Sequence, residues 1–104
     1  MKKELWMTLS DDTQIQIVDP DEVKTEHDID FTEGSNYMHR SYIPHGEIWI
    51  STAQSIPSRY YTLCHEMKEV PLLIMGMPYD KAHEIAAQFE LGLRKDGVFD
   101  NKAE

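Results

Sequence analysis

Residues 58–94 read SRYYTLCHEMKEVPLLIMGMPYDKAHEIAAQFELGLR, two helix-forming stretches joined at Gly76-Met77-Pro78. Ser55 can cap the first, with Pro57 in its opening turn, where a missing N–H costs little. Leu63, Met67, Val70 and Ile74 recur at i, i+4, i+7 and i+11, an apolar stripe suited to packing on a sheet. Ala82, Ile85, Phe89 and Leu93 form the matching stripe of the second stretch, and Asp80 favours its N-terminus electrostatically. Pro71 removes one helical hydrogen bond, so a bend or break is expected just after Glu69.

The same stretch carries the chemistry. His65 and Glu69 stand four apart within HEMKE and share one helix face. Glu69 lies seven residues before Gly76 and His83 seven after it, so an antiparallel hairpin of 58–75 and 79–94 sets the two level. Helices packed about 8–10 Å apart let both side chains reach one ion. Ala87 falls opposite His65 and leaves room, and Glu90 falls opposite Thr62. Two imidazoles and a carboxylate suit a divalent transition metal such as zinc, with His65, Glu69 and His83 as ligands and one position left for water. Glu66 is then placed to take a proton from that water, and Glu90 to hold the free nitrogen of His65 or His83. The plainer alternative is an interhelical cluster of hydrogen bonds or ion pairs, with Glu66 and Lys68 as solvated helix charges and Glu90 as a surface carboxylate.

Upstream, the pattern changes to strands and turns, which makes the chain α+β: a small antiparallel sheet from the N-terminal half, packed on the C-terminal helical hairpin. Glu4 to Thr8 reads as a short strand, and Thr13 to Val18 alternates polar with apolar. Asp19-Pro20-Asp21 ends that strand. Asp28 to Thr32 is expected to be extended, Gly34-Ser35-Asn36 to turn, and Tyr37 to Tyr42 to form another strand before Pro44. Glu47-Ile48-Trp49-Ile50-Ser51 alternates most clearly, with Ile48 and Ile50 on one face and Trp49 on the other. It also offers an edge along which an extended peptide could lie. Trp49, Tyr60 and Phe89 read as core, Cys64 as a small packed residue, and His27, His39 and His45 as loop or surface residues, His39 alone being a further candidate for the site. KDGVFDNKAE, 95–104, reads as a frayed tail.

Composition bounds the rest. The 104 residues fit one domain with a modest core. Ten Lys+Arg against 19 Asp+Glu give a net charge of −9, which disfavours nucleic acid and anionic lipid as partners. Cys64 is the only cysteine, so no intramolecular disulfide forms. Lys2-Lys3 resembles the charged start of a signal peptide, but the apolar run stops at Asp11-Asp12. With no span of membrane length, a cytoplasmic protein is expected.

HEMKE after a strand and short linker resembles the zincin pattern of metallopeptidases, His-Glu-x-x-His, with Glu69 in place of the second histidine. The fuller pattern runs from His65-Glu66-x-x-Glu69 to Tyr79-x-x-Ala82-His83-x-x-Ala86-x-x-x-Glu90. It is similar to short zincin-like proteins of bacteria and phages, over roughly residues 28 to 90, with Asp30-Phe31-Thr32 and Ile43-Pro44 fitting too. The resemblance implies a minimal zincin-like fold, metal on His65, Glu69 and His83, and Glu66 as the catalytic carboxylate. Three functions stay open: a zinc-dependent hydrolase acting on a peptide or protein, a non-catalytic zinc-binding interaction module, and a magnesium-dependent nucleotide hydrolase using Glu66, Glu69, Asp80 and Glu84. Magnesium prefers all-oxygen coordination, which two histidines do not supply.

Overall fold

The computed structural model describes residues 1–103. In chain order its elements are β1 (Lys3–Thr8), β2 (Gln14–Val18), α1 (Pro20–Glu26), β3 (Gly34–Asn36), β4 (Glu47–Ser51), α2 (Ile56–Ile74) and α3 (Tyr79–Lys95). The architecture is α+β, with a four-stranded sheet in the first half and a pair of helices in the second. No helix among the described residues is long and apolar enough to cross a membrane.

The sheet runs in the order β1-β2-β4-β3 and is mixed rather than antiparallel. β1 and β3 pair antiparallel with their neighbours, but β2 and β4 pair parallel, Ile15 opposite Ile48 and Ile17 opposite Ile50. Parallel neighbours need a long crossover. The connection from Asp19 to Gly46 supplies it and contains α1. That helix starts where the sequence suggested only a strand stop. The Asp19 carboxylate accepts the Asp21 N–H at 2.8 Å and Pro20 occupies the first turn, so a single tripeptide ends β2 and caps α1.

Period-two alternation sorts the core into two layers. Ile15, Ile17, Ile48 and Ile50 face α2, meeting Leu63 and Val70. Val18 and Trp49 face the other way, against Val23 of α1, Phe31 and Ile43. A sheet covered on both faces explains why the β4 side chains from Ile48 to Ser51 are all buried.

The expected strands at 28–32 and 37–42 are turns, and the expected turn at 34–36 is β3. Gly34 is there for close approach. A Cβ on it would lie 2.8 Å from Thr62 Cγ2 and 3.0 Å from the Trp49 carbonyl oxygen. The chain turns only after Asn36, whose side-chain oxygen accepts the N–H groups of Met38 and His39 at 3.0 and 3.1 Å. β3 is therefore the edge strand on the helix side, and β4, expected to offer that edge, lies inside the sheet.

α2 continues through Pro71 to Ile74. Pro71 and Met67 are both exposed, so the carbonyl deprived of its donor lies on the solvent side. The buried face is rotated from the apolar stripe: Met67 and Ile74 are exposed, while Thr62, His65, Glu66 and Glu69 join Leu63 and Val70 inside. In α3 the buried residues are Ala82 and Ala86, small enough for close helix contact, and Phe89, expected in the core, is exposed. Both helices end in the same glycine motif. Gly76 and Gly97 take positive φ, their N–H groups bond Leu73 and Arg94, and the next N–H groups bond Leu72 and Leu93. Within the stretch expected to fray, Phe99 and Asp100 are tied down. Phe99 stacks on Tyr60, its N–H donates to the Tyr61 hydroxyl at 3.0 Å, and that hydroxyl donates to Asp100 at 2.7 Å.

Candidate metal centre

His65, Glu69 and His83 converge as the hairpin spacing predicts. Glu69 Oε2 lies 3.0 Å from His65 Nε2 and 3.2 Å from His83 Nδ1. The three donor atoms all fall within 4.8 Å of one another and could hold a metal ion. Glu69 is 1% exposed and His65 9%, whereas the His83 side chain is 48% exposed and forms the open side of the group.

The outer partners fix each donor. Glu90 Oε1 lies 2.9 Å from His65 Nδ1 and directs Nε2 toward Glu69, the arrangement in which a carboxylate orients a ligating imidazole. Glu90 is held in turn by Arg94, whose Nε donates to Oε2 at 2.7 Å and whose Nη2 donates to Ser58 at 3.2 Å. Asn36, fully buried at the end of β3, donates through Nδ2 to Glu69 Oε1 at 3.1 Å. Tyr79 places its hydroxyl 3.2 Å from His83 Nδ1, and its ring stacks on His39 at 3.6 Å.

Glu66 has the opposite character. It is 4% exposed, and its Oε2 has no hydrogen-bond partner among the described residues. That oxygen lies 4.0 Å from His65 Nε2. A buried carboxyl oxygen with no partner is costly and calls for a compensating group. Burial first, then the charge of Glu69, push Glu66 up to about 8. For His65, burial works downward, but the hydrogen bonds to Glu69 and Glu90 outweigh it and push the imidazole up to about 10. Burial works upward on Glu69 and Glu90, yet both carboxylates are held below their usual range, chiefly by hydrogen bonds to His65. Burial, then the nearby Glu69 and Glu66, push the Tyr79 phenol up to about 12. His65 and Arg94 offset Glu69 and Glu90, and ionising Glu66 as well would leave the cluster short of positive charge. Its donor set, its oriented histidine and its orphan oxygen all fit a bound cation.

A cleft of about 280 Å³ opens over the group between β3, the turns that flank it, and the two helices. Gly34 and Ser35 line one wall and His83 and Ala87 the other, as the sequence places Ala87 opposite His65. Asp80 and Glu84 are exposed and stand outside this lining, so the four-carboxylate grouping considered for magnesium does not assemble there. Asn36, Tyr79 and Arg94 were not legible as site residues. Asn36 signals a turn and Tyr79 a helix start, and their contacts to Glu69 and His83 depend on how β3 and α3 dock on α2. No family model, curated protein or solved structure matches the chain.

Proposed function

We propose that this protein is a zinc-dependent hydrolase acting on peptide bonds, with His65, Glu69 and His83 holding the ion and Glu66 as the proton acceptor. The observation that carries the reading is Glu66 Oε2, buried without a partner 4.0 Å from His65 Nε2. The likeness of HEMKE to the zincin pattern supports it. Zinc, when bound, supplies Lewis acidity that polarises a carbonyl and makes water acidic near neutral pH.

The chain's own groups do the rest. Glu90 keeps the His65 proton on Nδ1, leaving the Nε2 lone pair for the ion. Asn36 holds one Glu69 oxygen so that the other meets both histidines. Glu66 must be ionised to accept a proton, and positive charge beside it would draw its raised pKa back down. A general base is most effective with its pKa near the working pH. β3 is an edge strand whose Gly34 and Ser35 line the cleft, a position that suits an extended peptide or protein segment pairing through its main chain. The net charge of −9 argues against nucleic acid and lipid partners, and the single cysteine is in keeping with a cytoplasmic setting.

The test is to load the protein with zinc and assay a mixed peptide library against Glu66→Gln. Cleavage by the parent chain, and none by a variant with unchanged zinc content, is the expected result. Zinc bound by both without cleavage would replace the hydrolase with a zinc-binding interaction module.

A further inference from the structure

The Tyr79 hydroxyl contacts the same His83 nitrogen that faces Glu69, an unusual place for a phenol beside a group of metal donors. Nδ1 of His83 lies 3.2 Å from Tyr79 Oη and 3.2 Å from Glu69 Oε2, and Glu69 Oε2 lies 3.0 Å from His65 Nε2. Ligand bonds of 2.0–2.1 Å around a tetrahedral ion give ligand-to-ligand edges of about 3.3 Å. The three contacts are hydrogen bonds whose lengths also lie close to coordination edges, the one to the phenol included, and the remaining pair of donors, on His65 and His83, falls within 4.8 Å. From this we propose that Tyr79 Oη is a fourth protein donor of the centre.

The proposal rests on His65, Glu69 and His83 being the metal site, and it follows from what happens to Tyr79 there. The Nδ1 lone pair can serve either the phenol proton or a cation. Once a cation takes it, the hydroxyl loses its acceptor. The ring has little freedom to swing away, because His39 stacks on it at 3.6 Å with planes 7° apart. It also stacks on His83, one helical turn further along α3, with centroids 5.4 Å apart. His39 is itself anchored, its N–H donating to Asn36 Oδ1 while Asn36 Nδ2 donates to Glu69. Glu69, Asn36, His39, Tyr79 and His83 thus form a closed ring of contacts that leaves the phenol oxygen at the centre's edge. When the oxygen ligates, an oxygen–metal bond forms and the phenol proton passes to solvent. Four protein donors close a tetrahedral ion in the resting protein. Water or substrate would then enter by displacing the phenolate oxygen, which takes a proton back from solvent.

Copper(II) is the probe, added to the metal-stripped full chain. The expected result is about one ion per chain and a visible phenolate-to-copper charge-transfer band, with tyrosine ring modes enhanced by resonance Raman excitation in that band. Tyr79→Phe should keep the stoichiometry, lose the band, and bind about 10–100-fold more weakly, as for loss of a partner that supports a ligand. The Raman readout on the parent chain needs no variant. A parent complex that binds copper through His65 and His83 without the band, or a band that survives in Tyr79→Phe, overturns the phenol ligand and leaves the three-donor centre standing. Copper binding that is absent, or indifferent to His83→Ala, overturns both.

Discussion

Glu66 and His65 set the pH behaviour of the metal-stripped chain. The folded-state pKa of His65 is raised from 6.5 to about 10, so its stabilising contribution is complete below pH 6.5 and is lost as pH rises through about 10. Glu66 is raised from 4.5 to about 8, so charging it inside the protein erodes stability as pH rises from 4.5 through about 8. The melting temperature should therefore fall between pH 4.5 and about 10, most steeply from 6.5 to 8, where both groups contribute. In Glu66→Gln the fall between pH 4.5 and about 8 should shrink, leaving the His65 part that runs on to about 10, and a thermal melt series unchanged below pH 8 would rule out the buried carboxyl as its source. Asn36→Ala should cost about 1–3 kcal/mol, because it strands a Glu69 oxygen and two backbone N–H groups. Denaturant titration checks the cost, and a zinc affinity that weakens alongside it separates support of Glu69 from a purely local turn effect. The three proposed ligands were legible because spacing along one helix, and equal distance from a turn, are properties of sequence. The groups that orient them were not. Asn36 reaches Glu69 across 33 positions, and nothing local to Asn36 marks that contact.

The elements were read best where one face is apolar and the other polar, and worst where chemistry occupies the buried face. β4 follows its alternation, with Ile48 and Ile50 toward α2 and Trp49 away from it. α2 does not follow its stripe, since the inward face is given to Thr62, His65, Glu66 and Glu69, which hydropathy assigns to solvent. β3 escaped notice because three residues, one of them glycine, look like a turn and work as a strand. Its glycine makes a sharp prediction. Gly34→Ala inserts a methyl group 2.8 Å from Thr62 Cγ2 and 3.0 Å from a backbone oxygen, and overpacking of this kind costs about 1–3 kcal/mol. Thr62→Ser removes Cγ2, so the double variant should recover part of that loss. Additive losses in a denaturant-based double-mutant cycle would mean that the two residues do not share the contact.

At the scale of the whole molecule, the parallel pairing of β2 with β4 is what sequence reading missed, and it has a clear origin. Adjacent strand patterns suggest hairpins, but α1 lies inside the connection from Asp19 to Gly46 and carries the chain back to start β4 alongside β2. That crossover leaves β3 on the outer edge, against α2 and above the three donors. Because those donors come from two helices, a bound ion ties α2 to α3, and saturating it stabilises the fold by about 2.7 kcal/mol at a hundred-fold excess over Kd. The most direct measurement is calorimetric titration of zinc into the metal-stripped full chain, alongside His65→Ala and His83→Ala. The expected result is about one ion per chain, bound more tightly as pH rises because His65 must release its proton, and lost in both variants. A chain that takes up no zinc, or takes it up equally well without either histidine, would contradict the metal centre.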